Sequence, residues 1–156
     1  NRIEYLASGL ECRVIFLDHL SILLSGLDGD ERRMIDSTMT RLRSLVERTG
    51  ITLFLVSHLR RSNSDNNSHE EGGRVSLGQL RGSHSISQIS DCVIALERDQ
   101  QSEDNNNITT VRVLKNRYSG EVGIATRLTY DLSTCQFYEA KDETEATPIF
   151  DASTEF

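Results

Sequence analysis

Asp18 ends an apolar run, Val14-Ile15-Phe16-Leu17. A carboxylate at the end of a buried strand can hold a magnesium ion, usually through water, beside the phosphates of a nucleotide. An aspartate that caps the following segment would give the same pattern. His58 follows a second apolar run, Ile51 to Val56, and Ser57. An imidazole there can sense a phosphate or orient a water, although taken alone a satisfied loop histidine is the simpler account. Lys115 and Arg117 alternate, and a strand period of two puts both cations on one face. Paired cations suit a phosphate chain, and they equally suit a solvated edge that discourages strand pairing. His19, His69 and His84 lack ligand-like spacing and read as ordinary residues. The 156 residues contain no GxxxxGK[ST] phosphate loop, no Ser–His–Asp arrangement and no HExxH. Read as a nucleotide-site carboxylate, Asp18 is only half of such a site, whose other half would lie upstream of Asn1.

The elements that must position these groups follow from periodicity. Ile3 to Leu10 has helical spacing. Arg13 to Leu17 and Ile51 to Val56 read as strands buried on both faces, as in a parallel sheet. Between them, Asp28 to Asp30 supply cap chemistry for a helix to about Thr49. Its apolar stripe is Met34, Ile35, Met39, Leu42, Leu45 and Val46, and Gly50 stops it. A strand–helix–strand step of this kind implies a right-handed parallel crossover. Ligands of such sheets bind at the C-terminal strand ends, where Asp18 and His58 both fall. Arg60 to Gly73 is a long polar loop, and loops of that length are usually functional or disordered. A short helix is expected near Ile86 to Ser90 and a third apolar strand over Cys92 to Leu96. After a polar turn from Gln100 to Asn107 come a strand from Ile108 to Asn116 and a terminal antiparallel hairpin, Ile124 to Tyr130 with Cys135 to Tyr138.

Composition narrows the class. Seventeen basic against 24 acidic residues give a net charge of −7, which excludes a generic basic coat for nucleic acid. Six acids and one base lie between Glu139 and Phe156, so that segment carries −5 and the rest only −2. Fifteen of the 17 cations are arginine, the side chain suited to bidentate phosphate contact. Cys12, Cys92 and Cys135 are odd in number and widely spaced, which suggests neither disulfides nor a zinc site. A reducing, cytoplasmic location is expected. No apolar run is long enough to span a membrane. The chain opens on Asn1 inside a helical pattern, as a fragment lacking the N-terminal part of its domain would.

From Tyr5 to Glu139 the chain resembles the C-terminal part of the helicase domain of phage T7-type primase–helicases. These belong with bacterial DnaB and mitochondrial Twinkle among the hexameric, RecA-like replicative helicases. The resemblance lies in Val14 to Ser21 (VIFLDHLS), Asp30 to Asp36 (DERRMID), Ser57-His58-Leu59 and His69-Glu70-Glu71-Gly72. It continues through Leu80-Arg81-Gly82-Ser83, Ile94 to Arg98 (IALER) and Leu114 to Gly120 (LKNRYSG). The motifs occur in the family's order, and as a set they are specific.

The resemblance implies an α/β fold: a RecA-like core with a parallel sheet flanked by helices and a C-terminal antiparallel hairpin. Residues 1–139 would be the C-terminal half of the motor domain and 140–156 an acidic, disordered tail. It implies that Asp18 is the aspartate near Mg2+ and that His58 reports the γ-phosphate state to the DNA-binding loops. Arg117 would be an arginine finger acting on a nucleotide held by the neighbouring subunit of a hexameric ring, with Lys115 at the same phosphates. Arg98 and Tyr130 would sandwich the base of ATP or dTTP, and Gln88 would belong to a nucleotide-sensing segment. Arg60, Arg61, Arg81 and Gly82 would track single-stranded DNA, although the family's first channel loop usually carries several lysines. The acidic tail ending in Phe156 would dock on a replicative DNA polymerase, with no membrane partner. The implied activity is NTP-driven unwinding by the full-length protein, the fragment alone being inactive. A RecA-type recombinase-like ATPase and a catalytically dead interaction module are the alternatives.

Overall fold

The computed structural model describes residues 2–25, 29–60, 68–81, 84–140 and 147–148. The chain forms two compact units, Asn1–Arg60 with Gly78–Ser90, and Arg61–Leu77 with Asp91–Phe156.

In the first unit, α1 (Arg2–Gly9) leads to β1 (Val14–Leu17), a short α2 (Leu20–Leu24), the long α3 (Glu31–Thr49), β2 (Thr52–Leu55) and α4 (His84–Ile89). The sequence sets both ends of α3. The Asp30 carboxylate accepts from the Arg32 N–H at 3.0 Å, occupying an amide that the helix itself leaves unpaired. Gly50 stops it at φ 67°, a left-handed conformation that costs a residue without Cβ little. The apolar stripe of α3 packs inward: Ile35, Met39 and Leu42 join Leu20, Leu24 and Ile86 in one cluster. Leu45 joins Ile15 and Ile51 in a second, with Ile3, Leu6 and Ala7 of α1 against it. α3 is therefore the crossover between β1 and β2, which pair in parallel with Leu17 opposite Leu55.

Burial on both faces of these strands is not observed. Ile15 is buried and Leu17, Leu53 and Leu55 are half-buried, whereas Val14, Phe16 and Phe54 are exposed. Phe16 and Phe54 stack on each other at 4.7 Å across the pair. The helices cover the Ile15 face, and a run of four apolar residues cannot reveal that only one face is covered.

The second unit is an antiparallel meander, β3 (Cys92–Arg98), β4 (Ile108–Asn116), β5 (Gly123–Asp131), β6 (Gln136–Glu139) and β7 (Thr147–Pro148), each hydrogen-bonded to the next. The expected hairpin is thus part of a larger sheet, and the third apolar strand pairs antiparallel with β4. Of the acidic tail, Thr147–Pro148 pairs with Tyr138 and Glu139. Phe156 lies outside the described residues. No described helix is long and apolar enough to cross a membrane.

This sheet carries a buried ion pair. Glu97 and Arg112 lie on one face of β3 and β4, and the guanidinium grips both carboxylate oxygens at 2.9–3.0 Å. The side chains are only 5% and 14% exposed. The Val75 N–H also donates to Glu97 at 2.8 Å, tying the incoming segment to the sheet. Burial alone would raise the Glu97 pKa. The Arg112 hydrogen bonds, the Val75 N–H and the charges of Arg112 and Arg74 outweigh it and hold the carboxyl below the ordinary 4.5. Removing one partner strands the other charge, so Glu97→Gln should lower Tm by roughly 5–15 °C at neutral pH. Because the folded pKa is depressed, this stabilisation is full above about 4.5 and disappears as pH falls through the folded value. The Tm gap between the parent and the variant should therefore narrow in acid, and a gap that stays constant would show that the ion pair is not its source.

Candidate functional site

In the first unit, parallel pairing brings the ends of the two strands that lead to Asp18 and His58 side by side. Two backbone bonds pin the chain around Asp18, Val56 N–H to Leu17 C=O (3.0 Å) and Leu20 N–H to Val56 C=O (3.0 Å), and Thr52 N–H to Arg13 C=O (2.8 Å) ties the other end of the strand pair. Asp18 thus emerges beside Val56, two residues before His58. Its side chain is exposed and makes no hydrogen bond or ion pair among the described residues. The described residues contain no cluster of three or more His, Cys, Asp or Glu able to hold a metal. One exposed carboxylate is not a metal cage. It does fit Mg2+, which is commonly held by one or two carboxylates with water and substrate phosphates completing the shell.

His58 leads directly into a small antiparallel bridge. Its C=O accepts from the Arg81 N–H at 3.0 Å, Leu59 pairs with Leu80, and the Arg60 N–H donates to the Gln79 C=O at 2.8 Å. Two of the expected DNA-contact cations, Arg60 and Arg81, therefore stand on the two sides of one bridge that starts at His58. The Arg81 guanidinium lies 3.9 Å from Glu31 at the start of α3, with both side chains about half exposed. Such pairs add little stability and exchange readily for another anion. Arg61 and Gly82 lie outside the described residues. Gln88 is exposed on α4, whose Ile86 faces the core.

Sequence spacing gave no reason to single out His19, yet its ring lies 4.1 Å from that of His58, tilted by 36°. The signal was available in principle. In a parallel pair, residues just past the ends of neighbouring strands become neighbours in space.

The second unit gathers the remaining groups. Arg98 pairs with Thr109, and Thr109 with Leu128, two residues before Tyr130. Arg98, Thr109, Leu128 and Tyr130 consequently share one face of the sheet. Arg98 is exposed and Tyr130 half-buried, and the Tyr130 ring leans on Phe137 at 4.9 Å. Hydrogen bonding to the Cys135 side chain, that group's charge, burial and the charge of Asp131 all push the Tyr130 phenol above its ordinary pKa of 10.0. A neutral phenol and a guanidinium on one face offer two flat groups on which a base can stack.

Lys115 and Arg117 do not share a regular strand. A bulge leaves Val93 opposite Lys115 and Ile94 opposite Val113, and bulges re-aim the side chains around them. The strand ends at Asn116, and Arg117 is the first residue of a turn. Asn116 Oδ1 accepts from the N–H groups of Tyr118 and Ser119, and Gly120 closes the turn at φ 76°. Arg117 donates its N–H to the Asp91 C=O at 2.9 Å and its guanidinium to the Asp91 carboxylate at 3.0 Å. The side chain is 45% exposed, so it is held in place while remaining open to another anion.

A DNA helicase/primase of Enterobacteria phage T3 is 44% identical over 134 residues, covering 85% of this chain and 23% of that relative. The chain thus spans about a quarter of the length of that protein. A solved ATPase domain superposes with a TM-score of 0.66 at 21% identity, over 89% of this chain and 51% of that one. A DnaB-like replicative helicase whose structure addresses its interactions with primase superposes with a TM-score of 0.65 at 19% identity, over 83% and 32%. These two structures establish the fold, which is the α/β RecA-like one expected. The model of the DnaB-like helicase C-terminal domain matches residues 2–139, and the chain belongs to that family.

Proposed function

We propose that residues 1–139 form the C-terminal half of the motor domain of a ring-shaped replicative DNA helicase. The full-length protein would couple hydrolysis of ATP or dTTP to movement along single-stranded DNA and to duplex unwinding, in the cytoplasm of the cell that makes it. Family membership gives a general helicase or ATPase role. The observation that carries the finer reading is the placement of Asp18 beside the strand that leads into His58, with the His58 carbonyl bonded to Arg81.

In this reading Asp18 is the residue that would hold Mg2+ through water, and a bound ion would supply positive charge beside the triphosphate. His58 passes the state of the phosphates to the Arg60 and Arg81 segments, which with Arg61 and Gly82 contact the DNA backbone. Arg98 and Tyr130 stack on the base. Gln88 takes part in sensing, and Lys115 adds positive charge near the phosphates. Arg117 acts on a nucleotide bound by the neighbouring subunit of a hexamer. Its half-exposed contact with Asp91 supports that role, since a finger must be held in place and still be available to a phosphate. The 156 residues carry no GxxxxGK[ST] loop, so the chain alone would not turn over nucleotide. The acidic segment 140–156, ending in Phe156, would dock on a replicative polymerase.

Four experiments on the full-length protein test this reading. Arg117→Ala should lower hydrolysis about 10³-fold or more and leave nucleotide affinity within a few-fold; unchanged turnover would remove the finger. Asp18→Asn should abolish Mg2+-dependent turnover, and normal turnover would refute its role. Deleting Lys141 to Phe156 should spare hydrolysis while weakening polymerase association, most visibly against a low-salt reference; equal association would leave the tail without this partner. A strand-displacement assay separates the helicase from a recombinase-like ATPase, for which hydrolysis would be stimulated by DNA without unwinding.

A further inference from the structure

We propose that His19 is a positioning residue for His58, and that the contact of the two rings carries the state of the Asp18 site to the DNA-facing segment. The inference rests on the reading of His58 as the group that couples nucleotide to DNA.

Register places Asp18 beside Val56 rather than His58, so the carboxylate and the expected sensor are not sequence-matched neighbours across the pair. The next residue closes that gap. His19 is joined to Asp18 by one peptide bond, and its ring lies 4.1 Å from that of His58. The backbone on either side is fixed, by the Leu17 carbonyl before Asp18 and the Leu20 N–H after His19, both bonded to Val56. A shift of Asp18 toward phosphate or metal therefore has little slack to take it up except at residues 18 and 19.

The His19 ring is half-buried. Its Nδ1 is buried with no hydrogen-bond partner among the described residues. His58 is exposed at a strand end, where an imidazole without a neighbour would sample several rotamers. A ring contact of this type biases such a choice by a factor of about 2–10. On its other side, the His58 carbonyl is bonded to the Arg81 N–H, and the bridge continues to Arg60 and Gln79. The path is therefore short and contiguous: Asp18, the His19 ring, the His58 ring and backbone, then Arg81.

The test uses the full-length protein and the ratio of NTP hydrolysis with and without poly(dT). His19→Ala should reduce that ratio about 2–10-fold, and His19→Leu, which keeps bulk without a flat ring, should do the same if the alanine variant does not fold. His19→Phe, which keeps the ring and loses both nitrogens, should restore the ratio to within about two-fold of the parent. In a His58→Ala background, His19→Ala should cause no further loss. An unchanged ratio in His19→Ala overturns the proposal. So does equal loss in the alanine and phenylalanine variants, or an additional loss of the same size in the His58→Ala background. If His58→Ala itself leaves the ratio intact, the reading of His58 has failed, whatever His19 does.

Discussion

The pairing of β1 with β2 fixes what the first unit can do. Side chains alternate along each strand, so a slip of one residue would turn Ile15 out of the core and move Asp18 away from Val56. Nothing in two four-residue strands sets that register by itself. It is set by α3, whose length, cap and stop determine where β2 begins, and whose Leu45 packs on Ile15 and Ile51 together. The positions of Asp18, His19 and His58 are thus decided by a helix that contributes none of them.

The second unit solves a similar problem with a different device. An antiparallel meander pairs each strand with the next in sequence, and Arg98 and Tyr130 reach one face by parity alone. Arg117 needs more, because it stands beyond the last strand residue. Its turn is built by Asn116 and Gly120, and its guanidinium is steadied by Asp91. For the finger role proposed for Arg117, a rigid turn is a better placement than a mobile loop, since less freedom is lost on binding.

Much of this was legible in the sequence. The limits of α3 could be read from Asp30 and Gly50, and the strand from Ile108 to Asn116 from its pattern, because caps and periodicity are local physics. Asp18 and His58 fell at adjacent strand ends because crossover handedness leaves little choice. What stayed hidden was non-local. The partner of Cys92–Arg98, the exposed face bearing Phe16 and Phe54, and the bulge beside Lys115 depend on which strand lies alongside, which no window of sequence specifies. The contact of His19 with His58 joins residues 39 positions apart, and the grip of Arg112 on Glu97 spans 15. His19, Glu97 and Arg112 look ordinary in their own neighbourhoods, and His58 gives no sign of which residue it touches.

The Glu97–Arg112 pair also constrains how this chain can vary. A change at either position alone leaves a charge in a place where water does not reach it well. A simultaneous exchange for two apolar side chains of matching volume is the kind of replacement that folded proteins tolerate. The two positions therefore behave as one heritable unit. Any lineage that escapes the ion pair must cross an intermediate in which Arg112 loses its anion or Glu97 its cation, and the strand pair that carries Arg98 is what that intermediate puts at risk.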